Sequence, residues 1–557
     1  MDNLDWLSPL SSLKYLNLSG IDLHKETNWL QAVNTLPSLL ELQLGECNLN
    51  NIIVDPSIEY LNLSSLITLD LSGNNFTSQL PSSFFNLTKD LTYLNFHSSN
   101  IHGEIPSSLL NLQNLRYLDL LFNQLEGSIP DGIGNLSSLQ YLSIGHNSFS
   151  GEISEKTFSK LSNLDSLDLA NSNFLFQFDL DWVPPFQLSY LILGNTNQGP
   201  NFPSWIYTQK SLQYLDLSSS GISLVDRNKF SSLIERISDS LYLSNNSMTG
   251  DISNLTLMCG SLSLDHNNFT GGLPNLSPMV GSVDLSYNSF SGSIPHSWKN
   301  LKGLDYLDLW SNKLSGEVLT YLSDWTQLQI LNLGENEFSG KIPIKMSNFL
   351  EVVILRANQF EGTIPTQLFN LPSLFHLDLA HNKLLGSLPK CVYNLTQMIT
   401  FHGDYLYSTK IELFMKGHDY VYEVQADRRT VDLSANNLSG EVPLELFRLV
   451  QVQTLNLSHN NLIGAIPNMI GGMKNMESLD LSNNKFGGTQ LQTFNSSSYI
   501  GNPKLCGAPL NNCSTEEVNP KTATTSPENE DGDSIRESLY LGMGVGFAAG
   551  FWCICGT

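Results

Sequence analysis

Apolar residues recur along this chain in one motif, L-x-x-L-x-L-x-x-N. It restarts at Leu13, Leu39, Leu66, Leu91, Leu115, Leu139, Leu164, Leu188, Leu212, Ser238, Cys259, Val280, Leu304, Leu328, Leu350, Leu374, Arg428, Val452 and Met476. Ser238, Cys259 and Arg428 are poor first residues, but the L-x-L that follows each of them keeps the register. In "LRYLDLLFN" the alternation puts Leu115, Leu118 and Leu120 inward on a short strand and turns Tyr117 and Asp119 outward. Asn123 then falls at the turn, where an amide can satisfy backbone groups of its own coil and of the next. The same position recurs as Asn74, Asn147, Asn246, Asn267, Asn288, Asn312, Asn336, Asn358, Asn382, Asn436, Asn460 and Asn484.

The spacing of roughly 24 residues is that of leucine-rich repeats, whose single coils cannot bury their leucines but whose stack can. The fold expected is an α/β leucine-rich-repeat solenoid: a curved right-handed superhelix with a parallel β-sheet on its concave face. About nineteen strands at roughly 4.8 Å give an arc on the order of 90 Å, a surface sized for a macromolecule. Each strand is followed by L-x-G-x-I-P, as at Gly103/Ile105/Pro106, Gly127/Ile129/Pro130, Gly292/Ile294/Pro295, Gly340/Ile342/Pro343, Gly362/Ile364/Pro365 and Gly464/Ile466/Pro467. Here Gly permits a turn, Ile is a second inward residue, and Pro fixes the entry to a short helical turn on the convex side.

Acidic residues outnumber basic ones 53 to 28, which argues against nucleic acid or an anionic membrane surface as partner, since both need basic patches. The partner class left is an extracellular protein, peptide or glycan. Asn-x-Ser/Thr acceptors at Asn17, Asn62, Asn75, Asn86, Asn135, Asn245, Asn254, Asn268, Asn275, Asn394, Asn437, Asn456, Asn495 and Asn512 favour a glycosylated, secretory chain. Of the seven cysteines, only Cys506 and Cys513 read as a local disulfide. The motifs of metalloproteases, P-loop enzymes, serine hydrolases and kinases are absent, so the chain reads as non-enzymatic, with no cofactor and no metal.

The L-x-G-x-I-P half of the repeat resembles plant-type leucine-rich repeats over nearly the whole chain. "YIGNPKLCGAPLNNC" (499–513) resembles the carboxy-terminal cap of plant leucine-rich-repeat receptors. An acidic stretch (514–537) and an apolar one (538–557, "SLYLGMGVGFAAGFWCIC" at its core) follow, an order that resembles the plant receptor-like proteins, the class of the tomato Cf proteins and of the receptor for ethylene-inducing xylanase. The resemblance implies extracellular repeats, one membrane helix and signalling through co-receptor and adaptor kinases, most of all in defence. It implies a single-pass plasma-membrane protein. Against that pattern the chain lacks a signal peptide and a first cap and stops after only about 17 apolar residues, so it reads as shortened at both ends. Gly542, Gly546 and Gly550 would pack that helix against a partner. Two alternatives stand beside this reading: a soluble apoplastic inhibitor of microbial wall-degrading enzymes, and the ectodomain of a receptor kinase.

Within the repeats (1–397, about sixteen, and 428–498, about three), residues 398–427 are an insertion. "IELFMKGHDYVYEV" alternates well enough to form a strand or hairpin with Gly417 at a turn. Receptor-like proteins carry an island domain at this place, with a Tyr-x8-Lys-Gly pattern for ligand contact and a Lys-x5-Tyr pattern for co-receptor contact. Tyr407, Lys416 and Gly417 match the first, and Lys416 with Tyr422 the second. On the sheet itself, the Asp column of "LDLS" reads as repeat consensus. Residues that depart from consensus, namely His97, Phe122, His146, Trp310, Glu335, Arg356, His376 and His381, are the candidates for a ligand-reading surface.

Overall fold

The computed structural model describes residues 3–50, 52, 63–318, 322–400, 409–415, 418–424, 428–489 and 494–510. The chain divides into two compact units, Met1–Asn511 and Asn512–Thr557, and the second lies outside the described residues.

Among the described residues, nineteen three-residue strands form one parallel sheet in chain order, from Tyr15–Asn17 to Ser478–Asp480. Every strand begins two residues after the first apolar position of its repeat, including Ser240–Tyr242, Ser261–Ser263 and Thr430–Asp432, which follow the three poor first residues. The central residue of each strand, Leu except at Val283, Val353 and Val431, is inward and buried, as Leu94, Leu118 and Leu142 are, and these pair in register across neighbouring coils. The sheet continues across the insertion, with His376↔Thr430, Leu377↔Val431 and Asp378↔Asp432 paired as if nothing intervened. The insertion carries an antiparallel pair, Thr409–Met415 with His418–Val424, in which Met415 faces His418.

The asparagine ladder is built as the repeat requires. Asn123 Nδ2 donates to the carbonyls of Phe96 (2.8 Å) and Leu120 (3.0 Å), and its Oδ1 accepts from the amides of Ser99 (3.1 Å) and Ile101 (2.9 Å). Four to five backbone groups per coil are thus bonded by one side chain. Where Asn is missing, small donors stand in: Ser99 Oγ, Ser220 Oγ and Cys47 Sγ each reach a carbonyl of the preceding coil. Asn502 extends the ladder into the carboxy-terminal cap by donating to Leu481 and accepting from Phe486.

The L-x-G-x-I-P segments do more than turn the chain. Gly127, Gly340 and Gly362 hold φ near +80°, the left-handed region open to glycine, and the residues beside them pair with the next coil. They build a second set of parallel sheets: four strands from His102–Gly103 to Asn173–Gln177, and eleven from Thr249–Asp251 to Lys504–Cys506. The Ile of each motif is buried, and in four of the six motifs the Pro caps a 3-10 turn, as Pro130 does for Asp131–Asn135 and Pro365 for Thr366–Asn370.

Candidate ligand-binding surface

All nine aspartates of the strand-end column perform one structural task. The Oδ1 atoms of Asp70, Asp119, Asp168, Asp216, Asp284, Asp308, Asp378, Asp432 and Asp480 each accept the backbone N–H two residues on, at 2.8 to 3.1 Å. Asn17, Asn95, Asn332 and Asn456 make the same bond at their strand ends. An acceptor is needed there and a charge is not, so the column is turn chemistry.

That turn fixes where the candidate residues sit. Each coil places one residue in the left-handed region directly before its ladder position, and Phe122 (φ 53°), His146 (φ 49°), Glu335 (φ 50°) and His381 (φ 54°) all occupy it. Non-glycine residues there store strain that the ladder bonds on either side hold in place. His97, Trp310 and Arg356 stand one residue earlier, and His376 alone lies within a strand.

Toward the amino-terminal end the outer face is aromatic and open. Tyr93, Tyr117 and Tyr141 stack ring on ring, with centroids 4.3 and 4.2 Å apart. Along the adjacent rim His97, Phe122 and His146 make a second column, with centroids 5.5 and 4.1 Å apart. Phe122 is 48% exposed. Asn171 donates its amide to His146 Nε2 at 2.9 Å, and burial holds the His146 imidazole below its ordinary pKa. This surface offers flat rings flanked by hydrogen-bonding groups, among them the Asp119 carboxylate, which accepts from Tyr117 Oη at 3.1 Å and lies 3.7 Å from His97 Nδ1.

Further along, three candidates prove to be covered: Trp310, Arg356 and His376 are buried. Trp310 lies over Gly334, where a Cβ would collide with its ring, and packs with Val352, Ile354 and Phe375 into an apolar cluster on the outer face. Arg356 donates to Asp378 Oδ2 at 3.1 Å and lies 3.5 Å from Asp432 Oδ2. These residues therefore shape the face and set its charge, with more exposed neighbours around them. One such region is a cleft of about 580 Å³ lined by Arg356, His381, Asp432, His459, Asp480 and Phe494. His459, His266 and Tyr287 are further surface residues that departure from consensus did not single out. All three precede a ladder Asn, as Phe122 does, and that offset was the signal available to find them.

The charge on this face depends on pH. Burial raises Asp168 and Asp308 to about 6, and burial with the facing Asp432 raises Asp378 to about 7 despite Arg356. Burial pushes His376 down to about 4. The folded chain thus binds protons at the three aspartates that an unfolded chain, with Asp near about 3.9, has already lost; His376 works the other way below about 6.5. Stability is expected to rise by on the order of 1–2 kcal/mol between about pH 7.5 and about pH 5.5, read from denaturation midpoints. A fall over that range would contradict these environments.

The other candidate positions divide plainly. Tyr407, Lys416 and Gly417 lie outside the described residues, while Tyr422 lies on the strand His418–Val424, opposite Ile411. Cys506 is disulfide-bonded, Cys513 lies outside the described residues, and Cys47, Cys259 and Cys391 are free. Among the acceptor asparagines, Asn17, Asn75, Asn86, Asn135, Asn245, Asn254, Asn268, Asn437 and Asn495 are exposed, and Asn275, Asn394 and Asn456 are half-buried. Asn62 and Asn512 lie outside the described residues, as do Gly542, Gly546 and Gly550. Among the described residues, no helix is long and apolar enough to cross a membrane.

Comparison with known proteins agrees with the repeat. Models described as leucine-rich repeat region, leucine rich repeat and Leucine Rich Repeat match residues 2–234, 429–486, and 281–301 with 373–395. The receptor-like protein EIX2 of Solanum lycopersicum is 33% identical over 507 residues, covering 72% of this chain and 50% of EIX2. Receptor-like protein EIX1 of the same plant is 38% identical over 103 residues, covering 18% of this chain and 10% of EIX1. The chain therefore spans about half the length of the EIX2 relative. Among solved structures, PEPR1 with AtPEP1 superposes with a TM-score of 0.64 at 28% identity, covering 90% of this chain and 73% of that one. The Arabidopsis receptor kinase HAESA, in complex with the peptide hormone IDA and the co-receptor SERK1, gives 0.58 at 25% identity, covering 90% and 87%. Repeat, ladder, second sheet and relatives agree: the chain belongs to the plant leucine-rich-repeat receptor-like proteins.

Proposed function

We propose that this chain is the extracellular recognition module of a plant cell-surface receptor. It binds a protein, peptide or glycan ligand along the outer face of the sheet and recruits kinase co-receptors, signalling in defence. The observation that carries this reading is the open aromatic rim of His97, Phe122 and His146 beside the Tyr93–Tyr117–Tyr141 stack, on a sheet of nineteen strands in register. Rings of this kind supply large contact area at low conformational cost, as binding hot spots do. The solved relatives support the ligand and partner classes, since they include the plant peptide hormone receptor RGFR1 with RGF2, and HAESA with the peptide hormone IDA and the co-receptor SERK1.

In this reading the co-receptor contacts the inserted strand pair through Lys416 and Tyr422, a movable cation and an amphipathic anchor. The chain acts by bridging ligand and kinase partner, and at the plasma membrane residues 538–557 would begin its anchor. The test is binding of the full chain to an immobilised SERK-type ectodomain, with and without extracellular extract from challenged tissue. The double substitution Lys416→Ala/Tyr422→Ala is expected to weaken extract-dependent binding at least about tenfold. Undiminished binding by the double variant would return the insertion to a passive loop. Recovery of the chain free in apoplastic fluid, bound to a microbial wall-degrading enzyme, would instead establish the inhibitor alternative.

A further inference from the structure

The second sheet is interrupted between its two parts, and the isolated bridge Asn201↔Leu224 stands in the gap. Its four-stranded part ends at Asn173–Gln177, and its eleven-stranded part begins at Thr249–Asp251. Asn173–Gln177 pairs on one side with residues 150–154 of the preceding coil. On the other side, where residues 197–201 of the next coil would pair, the sequence is "NQGPN". Pro200 has no N–H to give, and that stretch bonds onward instead, with Leu224 N donating to Pro200 O and Phe202 N to Leu224 O, both at 2.9 Å. Among the described residues, no backbone hydrogen bond joins the next coil to the Asn173–Gln177 strand. The result is a free strand edge reading "NFLFQ", with neither charge nor proline to protect it, whereas natural edges are usually blunted by one or the other.

The surface beside this edge is unusual for so acidic a chain. Leu175, Leu180, Val183 and Leu224 are 57%, 82%, 63% and 59% exposed. Beneath them Trp182 stacks on Phe178 with centroids 4.7 Å apart. Leu180, Trp182 and Val183 also line a cleft of about 610 Å³ whose cations are Lys210, Lys229 and Arg236, against one carboxylate, Asp181. The Lys210 and Arg236 side chains have no ion pair or hydrogen bond among the described residues, in a chain of net charge −25. No Asn-x-Ser/Thr triplet occurs between Asn135 and Asn245, so no sugar acceptor stands on this flank.

We propose that this flank docks an extended acidic segment of a partner protein. The segment adds as a strand to the free edge of Asn173–Gln177, sets alternate apolar side chains against Leu175, Leu180 and Val183, and carries its carboxylates to Lys210 and Arg236. Exposed aliphatic side chains favour a peptide over a sugar, and the local positive charge favours an acidic one. The site is separate from the aromatic rim of the main sheet.

The probe is a fluorescein-labelled peptide alternating valine and glutamate, long enough to cover the five-residue edge and reach the cleft, followed by anisotropy against the full chain. Saturable binding is expected, lost when lysine replaces glutamate or when proline replaces alternate valines. Lys210→Glu/Arg236→Glu, both exposed positions, is expected to weaken it at least about tenfold with the thermal melt unchanged. Leu175→Asn should weaken binding without touching charge. Equal binding of the proline-interrupted peptide, or of the charge-reversed variant, would overturn the proposal. So would displacement of the peptide by an oligouronic acid, which assigns the cleft to an anionic glycan. A concentration-dependent dimer abolished by the same charge reversal would overturn it in favour of a second copy of the chain.

Discussion

Asn336→Ala is expected to cost roughly 2–5 kcal/mol, among the largest effects of any single polar substitution in the chain. Asn336 is buried; its Nδ2 donates to Leu309 O at 2.8 Å, Leu333 O at 3.3 Å and Gly334 O at 2.9 Å, and its Oδ1 accepts from Leu314 N at 3.0 Å. Three of these losses are cushioned, because Leu309 O also receives Asn312 Nδ2 at 3.3 Å, Leu333 O receives Asn358 Nδ2 and Gly334 O receives Ser311 N. The Leu314 amide has no such second partner among the described residues and would be left unsatisfied in the core. Asn336→Ser should recover part of the loss, since Ser99 at the equivalent position reaches the carbonyl of Leu71 at 2.8 Å. The order Asn, Ser, Ala in denaturation midpoint is the expected result, with an exposed asparagine such as Asn300 tolerating alanine within about 0.5 kcal/mol. Equal midpoints for the wild type and the Asn336→Ala variant would mean the ladder does not hold the coils.

Trp298→Ala is expected to cost about 3–5 kcal/mol through lost packing and the cavity left behind. Trp298 and Trp325 are fully buried in successive coils, and each indole donates across the stack: Trp298 Nε1 to Pro274 O at 2.9 Å, Trp325 Nε1 to Trp298 O at 2.8 Å. The two phenylalanine variants separate volume from hydrogen bonding. Trp298 O keeps a bond from Leu301 N when Trp325 becomes Phe, whereas buried Pro274 O has no other donor when Trp298 does. Trp298→Phe should therefore be the worse of the pair by about 1–3 kcal/mol, measured by denaturation under identical conditions. Equal costs would show that the indole bond to Pro274 contributes nothing.

The main sheet was legible because its signal is local: each Leu-x-Leu sets its own inward pair, so even the repeats opening on Ser238, Cys259 and Arg428 found their strands. The second sheet was not, because segments such as Gln124–Gly127 carry no alternation of their own and become strands only when a neighbouring coil stacks beside them. The same limit explains its break, which depends on Pro200 in one coil failing the edge of another. Among the candidate surface residues, Phe122, Glu335 and His381 stand exposed as departure from consensus suggested. Trp310 and Arg356 do not, because what covers them is nonlocal: the bare backbone of Gly334 lets one ring lie flat, and carboxylates from two later coils close over the other side chain. The inserted strands followed from alternation alone, since a hairpin needs only its own two halves.

Recognition along the outer face of the sheet is tested most directly by Phe122→Ala/His146→Ala. These side chains lie on the rim and outside the buried core, so the fold and its melting curve should be retained. The measurement is binding of the full chain to an immobilised SERK-type ectodomain in the presence of extracellular extract from challenged tissue. Extract-dependent binding by the wild type, weakened at least about tenfold by the double variant, is the predicted result. Binding that is absent with every extract, or that the double variant retains in full, would contradict it.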